Sequence, residues 1–218
     1  MILVKPSHNI EYLQPDVLVS IERAGRTCYK SEDKIIPDSA KKFVRMIIGR
    51  GYETVLEHAN MTVRFICDRG VTHEIVRHRL AAYSQESTRY CNYKGGVTFI
   101  IPPWVEQEPG EYTKERNPIY DDVEHPEVSW FNAMGRAEAS YIALLEAGWS
   151  PQQARSVLPN SLKTEIVCTA NLREWRHILK LRTSPAAHPQ IREIMNPLLD
   201  ELQNRRVPVI FDDILGTK

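Results

Sequence analysis

Apolar residues along this chain recur at three- and four-residue intervals in several stretches, a spacing that predicts helices burying one face. Behind Pro15-Asp16 the stripe is Val17, Leu18, Ile21 and Ala24; a second helix, from Asp38 to about Ile48, carries Phe43, Val44, Ile47 and Ile48 and stops at Gly49 and Gly51. Residues 71–82 place Val71, Ile75, Val76 and Leu80 inward on a further helix. Trp130–Ala147 is long and amphipathic, with Phe131, Met134, Tyr141, Leu144 and Leu145 on one side and Gly148 at its end. A short helix opens at Ser150-Pro151 and ends near Pro159. The segment 172–182 buries Leu172, Trp175, Ile178 and Leu179 behind an Asn171 cap with Glu174 at N3. The last periodic run, Ile191 to Leu202, is interrupted by Pro197, which should kink or divide it. Strict alternation marks Met61–Cys67 as a strand. Leu162–Cys168 and Gly96–Ile101 also read as strands, the latter stopped by Pro102-Pro103, and residues 1–5 as an edge strand.

Helices and strands interspersed in this way predict an α+β fold, a mixed α/β architecture with a mainly antiparallel sheet flanked by helices. The stretch from Pro102 to Val128 holds five prolines and eight acidic residues against Lys114 and Arg116. It is a long, solvated, acidic excursion, and no second core-sized segment follows a linker, so residues 1–218 are expected to form a single domain.

Charge narrows the chemistry. Lys+Arg and Asp+Glu both number 28, so no global field attracts nucleic acid or an acidic membrane, and any basic site must be local. The four cysteines, Cys28, Cys67, Cys91 and Cys168, are far apart, which argues against a zinc ribbon and a disulfide framework. With no signal-like or membrane-length apolar run, the expected compartment is the cytoplasm.

The densest local chemistry is Arg77 to Tyr90, RHRLAAYSQESTRY. It combines three arginines, one histidine, one glutamine and five hydroxyl side chains, with no lysine. Guanidinium forks suit bidentate contact with phosphate or carboxylate, and hydroxyls and backbone N–H groups can complete an anion's shell. By pattern alone an arginine-rich stretch is more often a solvated face than an anion site. A metal site on 71–82 fits poorly, because His73 and His78 are five residues apart rather than the four that aim two histidines at one ion. Three other places gather polar groups: the segment 51–58 with Thr54 and His58, Arg155 on the short helix, and the face of 172–182 opposite the buried stripe, with Arg173, Arg176, His177 and Lys180. Arg182 at that helix's end is explained equally well by the macrodipole.

Arg77-His78-Arg79, a short gap, and Ser87-Thr88-Arg89-Tyr90 resemble the motif of the flavin-dependent thymidylate synthases. The likeness extends along most of the chain: Glu53-Thr54 followed by Glu57-His58, Ala154-Arg155 with Leu158-Pro159, then Asn171-Leu172-Arg173, His177, Leu181-Arg182 and, past a turn, His188. The resemblance implies reductive methylation of dUMP to dTMP, with 5,10-methylenetetrahydrofolate as one-carbon donor and FAD, reduced by NADPH, as hydride source. It also implies a homotetramer with active sites at subunit interfaces. FAD is then expected against Thr54, Arg77, His78, Arg79, Gln85, Asn171, Arg173 and His177. Substrate dUMP is expected against Glu74, Arg77, Gln85, Glu86, Ser87, Thr88, Arg89, Arg155 and Arg182. Arg182 would contact the uracil ring and favour its polarised form, which makes it the residue nearest to catalytic, and no metal is expected. The chain departs from the family's commonest form at Ala82, where many members carry serine, at Glu74, where some carry glutamine, and at Thr88, where some have glycine. The competing reading is a non-catalytic nucleotide or RNA binder that stacks bases on Tyr83, Tyr90 and Tyr93; the net neutrality counts against it.

Overall fold

The computed structural model describes residues 1–113 and 125–216. In chain order the elements are β1 (Ile2–Val4), β2 (Ser7–Leu13), α1 (Val17–Thr27), α2 (Ser39–Gly49), β3 (Asn60–Asp68), α3 (Arg69–Ile75), β4 (Ala81–Gln85), β5 (Thr98–Ile100), β6 (Gly110–Glu111), α4 (Pro126–Glu146), α5 (Pro151–Ala154), β7 (Lys163–Asn171), α6 (Leu172–Arg182), α7 (Pro189–Glu201) and α8 (Pro208–Phe211). The chain divides into two compact units. The first comprises Met1–Ser7, Ile66–Ile75 and Ser84–Ile166; the second comprises His8–Phe65, Val76–Tyr83 and Val167–Lys218. Part of the acidic excursion, residues 114–124, lies outside the described residues.

In the first unit, β1 is not the edge strand its position suggests. It is the middle of a three-stranded sheet, parallel to β5 with Leu3 opposite Phe99 and antiparallel to β6 with Leu3 opposite Gly110. Leu3, Phe99, Ile101, Met134, Tyr141 and Leu162 form the buried core there. Helix α4 begins earlier than its apolar stripe, because Pro126 supplies a preset first-turn φ, and it ends at Gly148, whose φ of 90° only glycine adopts without strain. Helix α5 starts with a reciprocal cap between Ser150 and Gln153.

The other sheet is four-stranded, in the order β2-β3-β7-β4, and most of its residues belong to the second unit. Its neighbours are antiparallel: the Gln14 N–H, just past β2, donates to the Asn60 carbonyl at the start of β3, Thr62 and Thr169 share a hydroxyl contact at 2.9 Å, and the Glu86 N–H donates to the Glu165 carbonyl. Alternation in β3 and β7 is strict, burying Met61, Val63, Phe65 and Cys67 on one strand and Thr164, Ile166, Cys168 and Ala170 on the other. Helix α6 packs on this layer through Trp175, whose indole N–H donates to the Met61 carbonyl at 2.9 Å. Helices α1 and α2 meet closely at Gly25, where an added Cβ would lie 2.6 Å from the Phe43 ring. Pro197 lies inside α7, which runs as far as Glu201 and continues as a short π-helical turn to Arg206.

One further expectation fails, and one strand was not read from the sequence, each for an identifiable reason. Residues 71–82 are not one helix: α3 ends at Ile75, a turn follows, and β4 begins at Ala81. His78 is buried in that turn and its carbonyl accepts the Tyr83 hydroxyl at 2.7 Å, so a tertiary anchor overrides the helical spacing. Strand β2, SHNIEYL, has polar residues at four of its seven positions and none fully buried, so it carries little of the alternation by which strands are recognised.

Candidate active site

The second unit holds a buried polar cluster built by α6 and the turn after α3. Asn171 caps α6 by accepting the Glu174 N–H at 2.9 Å, which sets the rotation of the helix. Glu174, His177 and Arg182 then follow at fixed positions along it. Arg182, 9 % exposed, donates from Nε to His78 Nε2 at 3.0 Å. Because Nε2 accepts, the proton of a neutral His78 sits on Nδ1, which faces Glu174 Oε1 at 3.7 Å. His177 stands edge-on to His78, with ring centroids 5.7 Å apart. Burial, then the charges of Arg182, His177 and Arg77, depress the His78 pKa to about 4, so the imidazole is neutral at neutral pH. A neutral imidazole accepts from the guanidinium without cancelling its charge.

A cleft of about 670 Å³ in the same unit is lined by Glu53, Glu57, Leu80, Asn171, Arg173, Glu174, Arg176, His177 and Lys180. That volume lies within the range of about 300–1,000 Å³ usual for small-molecule sites. Arg173 is exposed and paired with Glu57 at 2.5 Å. Arg176 overturns its sequence assignment to the solvated face of α6: it is 1 % exposed and bound to Glu53, to both oxygens of Asp213 and to the Ile210 carbonyl. Its role is to fasten the 3₁₀ turn Glu53–His58 and the C-terminal segment to α6. Thr54 and His58 are exposed on that turn and are not among the cleft's lining residues. Arg77 and Arg79 are exposed on the turn after α3. His188 caps α7, its Nδ1 accepting the Gln190 N–H at 3.3 Å.

In the first unit a different set gathers. Gln85 donates to the hydroxyls of Thr72 at 3.1 Å and Thr164 at 3.4 Å. The Glu86 carboxylate accepts from the Tyr93 hydroxyl at 2.7 Å and from Lys163 at 3.1 Å, and Lys163 also reaches Glu165 at 2.7 Å. Burial alone would lower the Lys163 pKa, but its two carboxylate partners outweigh burial and raise it. Ser87 closes a turn, its hydroxyl accepting the Arg89 N–H and its carbonyl accepting those of Tyr90 and Cys91. Thr88, 6 % exposed, accepts from Arg155 Nη1 at 3.0 Å. Arg89 is exposed beside the Tyr90 ring, and Glu74 is half-buried at the end of α3.

The predicted residues thus fall into two groups. His78, Asn171, Arg173, His177 and Arg182 come together in the second unit; Gln85, Glu86, Ser87, Thr88, Arg89 and Arg155 come together in the first. Sequence reasoning missed Glu174 as the partner of His78, Tyr83 as its anchor, and Lys163. Glu174 had one legible signal, its N3 position, which accounts for the cap alone. Among the described residues, His78, Glu174 and His177 form the one group whose ligand atoms lie within 4.8 Å of one another. A dication there would lie beside the Arg182 guanidinium, whose Nε already donates to His78 Nε2, so the donor set suits a metal poorly. For a flavin the fit is good. The cleft offers apolar surface at Leu80, polar groups at Asn171 and His177, and carboxylates already matched by Arg173, Arg176 and Lys180.

The family profile described as thymidylate synthase complementing protein matches residues 10–209. Flavin-dependent thymidylate synthases from Corynebacterium efficiens and Mycobacterium tuberculosis are similar to this chain. The first is 36% identical over 198 residues, covering 88% of this chain and 78% of its own. The second is 34% identical over 200 residues with the same coverage. Among solved structures, the UMP/dUMP methylase PolB from Streptomyces cacaoi bound with 5-Br dUMP superposes with a TM-score of 0.77 at 24% identity, covering 97% of this chain and 96% of the other. The match spans nearly the whole chain and takes in both groups of residues, so the chain belongs to the thymidylate synthase complementing protein family, that of the flavin-dependent thymidylate synthases.

Proposed function

We propose that this chain is an FAD-dependent thymidylate synthase that converts dUMP to dTMP, taking the one-carbon unit from 5,10-methylenetetrahydrofolate. Bound FAD, reduced by NADPH, would supply the hydride that completes the methyl group. The observation that carries the reading is Arg182, an always-charged guanidinium held inside the protein by a neutral imidazole. Such a donor can draw negative charge onto a uracil carbonyl, which the pyrimidine carbon needs before it attacks a one-carbon electrophile. His78 orients it through Nε2, and Glu174 and Tyr83 hold His78.

The second unit would hold the flavin along the cleft beside Asn171, Arg173 and His177, with Arg77, Arg79 and Thr54 available to its phosphates. Arg155, Arg89 and Ser87 of the first unit would hold the nucleotide's phosphate, with the buried Thr88 behind Arg155. Lys163 and Tyr93 both donate to the Glu86 carboxylate, which weakens its repulsion of that phosphate. Residues 1–218 would act as one catalytic domain, assembled in the cytoplasm as a homotetramer with active sites at subunit interfaces. Leu80, Tyr90 and Leu181 remain exposed beside the candidate residues, as an assembly surface requires.

The test is the visible spectrum of the purified protein before and after NADPH, followed by assay of thymidylate once dUMP and the folate are added. A yellow protein that bleaches with NADPH and forms dTMP is expected. A colourless protein that binds RNA with a steep salt dependence would overturn the proposal.

A further inference from the structure

In the first unit the cations differ in what holds them. Lys163 is neutralised by two carboxylates, whereas Arg155 has a neutral hydroxyl as its hydrogen-bond partner and no carboxylate within ion-pair distance among the described residues. Both ends of that contact are fixed. Arg155 follows α5, whose start is stiffened by Pro151 and the Ser150–Gln153 cap. Thr88 lies in the turn closed by Ser87, and its side chain is buried although Arg89 and Tyr90 beside it are exposed. A buried hydroxyl needs a partner, and the guanidinium supplies it. A long exposed arginine would otherwise lose rotamer freedom on binding a ligand.

We infer that Thr88 is the positioning residue for Arg155, holding its guanidinium ready, with its charge uncancelled, for the phosphate monoester of the nucleotide. Glycine at this position would have no oxygen to offer. This rests on the proposed reading that dUMP is the substrate of this chain.

The test uses the flavin-loaded enzyme, with dUMP affinity measured by calorimetry and steady-state kinetics run beside it. Thr88→Val, which keeps shape and removes the acceptor, is expected to weaken dUMP binding and raise its KM about tenfold while kcat stays within about twofold. Thr88→Ser keeps the acceptor and should bind as wild type. Arg155→Ala should weaken binding further, and Thr88→Val should add nothing in that background. If Thr88→Val folds poorly, seen as lost flavin colour, Thr88→Ala makes the same comparison with less steric demand. Wild-type affinity in Thr88→Val or Thr88→Ala alongside a weakened Arg155→Ala would overturn the positioning role, as would a full threonine effect in the Arg155→Ala background. Unchanged dUMP affinity in Arg155→Ala would remove the phosphate assignment itself, and the inference with it.

Discussion

Two arginines of each unit are held in opposite ways. In the second unit Arg176 and Arg182 are buried, one by two carboxylates and a carbonyl and the other beside a neutral histidine. In the first unit Arg89 and Arg155 are exposed, one over a tyrosine ring and the other against a hydroxyl. A buried guanidinium costs several kcal/mol of desolvation unless its partners offset it, so the partner tells what the residue is for. Full pairing with carboxylates, as at Arg176, produces a structural clamp. Arg182 differs in that its Nε donates to a neutral imidazole, which adds no opposing charge.

The sharpest way to break that contrast is Arg182→Ala. Removing a donor aimed at developing negative charge is expected to lower turnover about 10²–10³-fold, equivalent to about 2.7–4 kcal/mol, while bound flavin is retained. Visible absorbance and a thymidylate assay on one preparation decide it. Wild-type-like turnover would return Arg182 to the status of a helix-end cation.

Next in size is Arg176→Ala, which should act on stability. It leaves Glu53 and Asp213 without their common partner, and the Asp213 carboxyl, held below its usual range chiefly by the Arg176 hydrogen bonds, would rise. Since both carboxylates keep some access to water, a loss of about 3–4 kcal/mol in urea unfolding is expected, toward the lower part of the range for broken buried pairs. A variant as stable as wild type would mean that the clamp does not fasten the 53–58 turn.

These two arginines also show where the sequence was legible. Helix α6 was readable to the residue, because Asn171, the N3 glutamate and a four-residue apolar stripe are all local. Most residues of the two candidate groups were also readable as lists, though Glu174 and Lys163 were not. What pairs with what was not. Glu53 and Asp213 stand 123 and 37 residues from Arg176, and His78 stands 104 from Arg182. Helical spacing placed Arg176 beside Arg173 and His177 on the polar face, although the edge of that face is covered by chain from both directions. The same remote anchoring ended α3 early, since burial of His78 outweighed helical periodicity in residues 76–82.

The contrast can be sharpened through pH. His78 has a folded pKa of about 4 against an ordinary value of 6.5, so between those values the unfolded chain binds the proton and the folded one does not. Stability from this group is therefore fully present above about pH 6.5, is lost as pH falls, and levels off below about pH 4, a total of about 3 kcal/mol. Unfolding free energies of wild type and His78→Gln, measured from pH 4 to 8, should differ in slope within that window. Parallel curves would show that His78 is not held neutral beside Arg182.

The smallest stability effect belongs to Arg173, and it tests whether exposure and availability go together in the second unit as they do in the first. Its contact with Glu57 is short, but both side chains are largely exposed, at 52% and 40%, so solvent screens the pair. Arg173→Ala should change unfolding free energy by no more than about 0.5 kcal/mol. If Arg173 instead faces a flavin across the cleft, the same substitution should weaken flavin binding about tenfold, read as loss of yellow colour on gel filtration. A large stability loss with unchanged flavin content would make Arg173 a second clamp like Arg176, and pairing with a carboxylate, rather than depth of burial, would then separate structural arginines from ligand-binding ones.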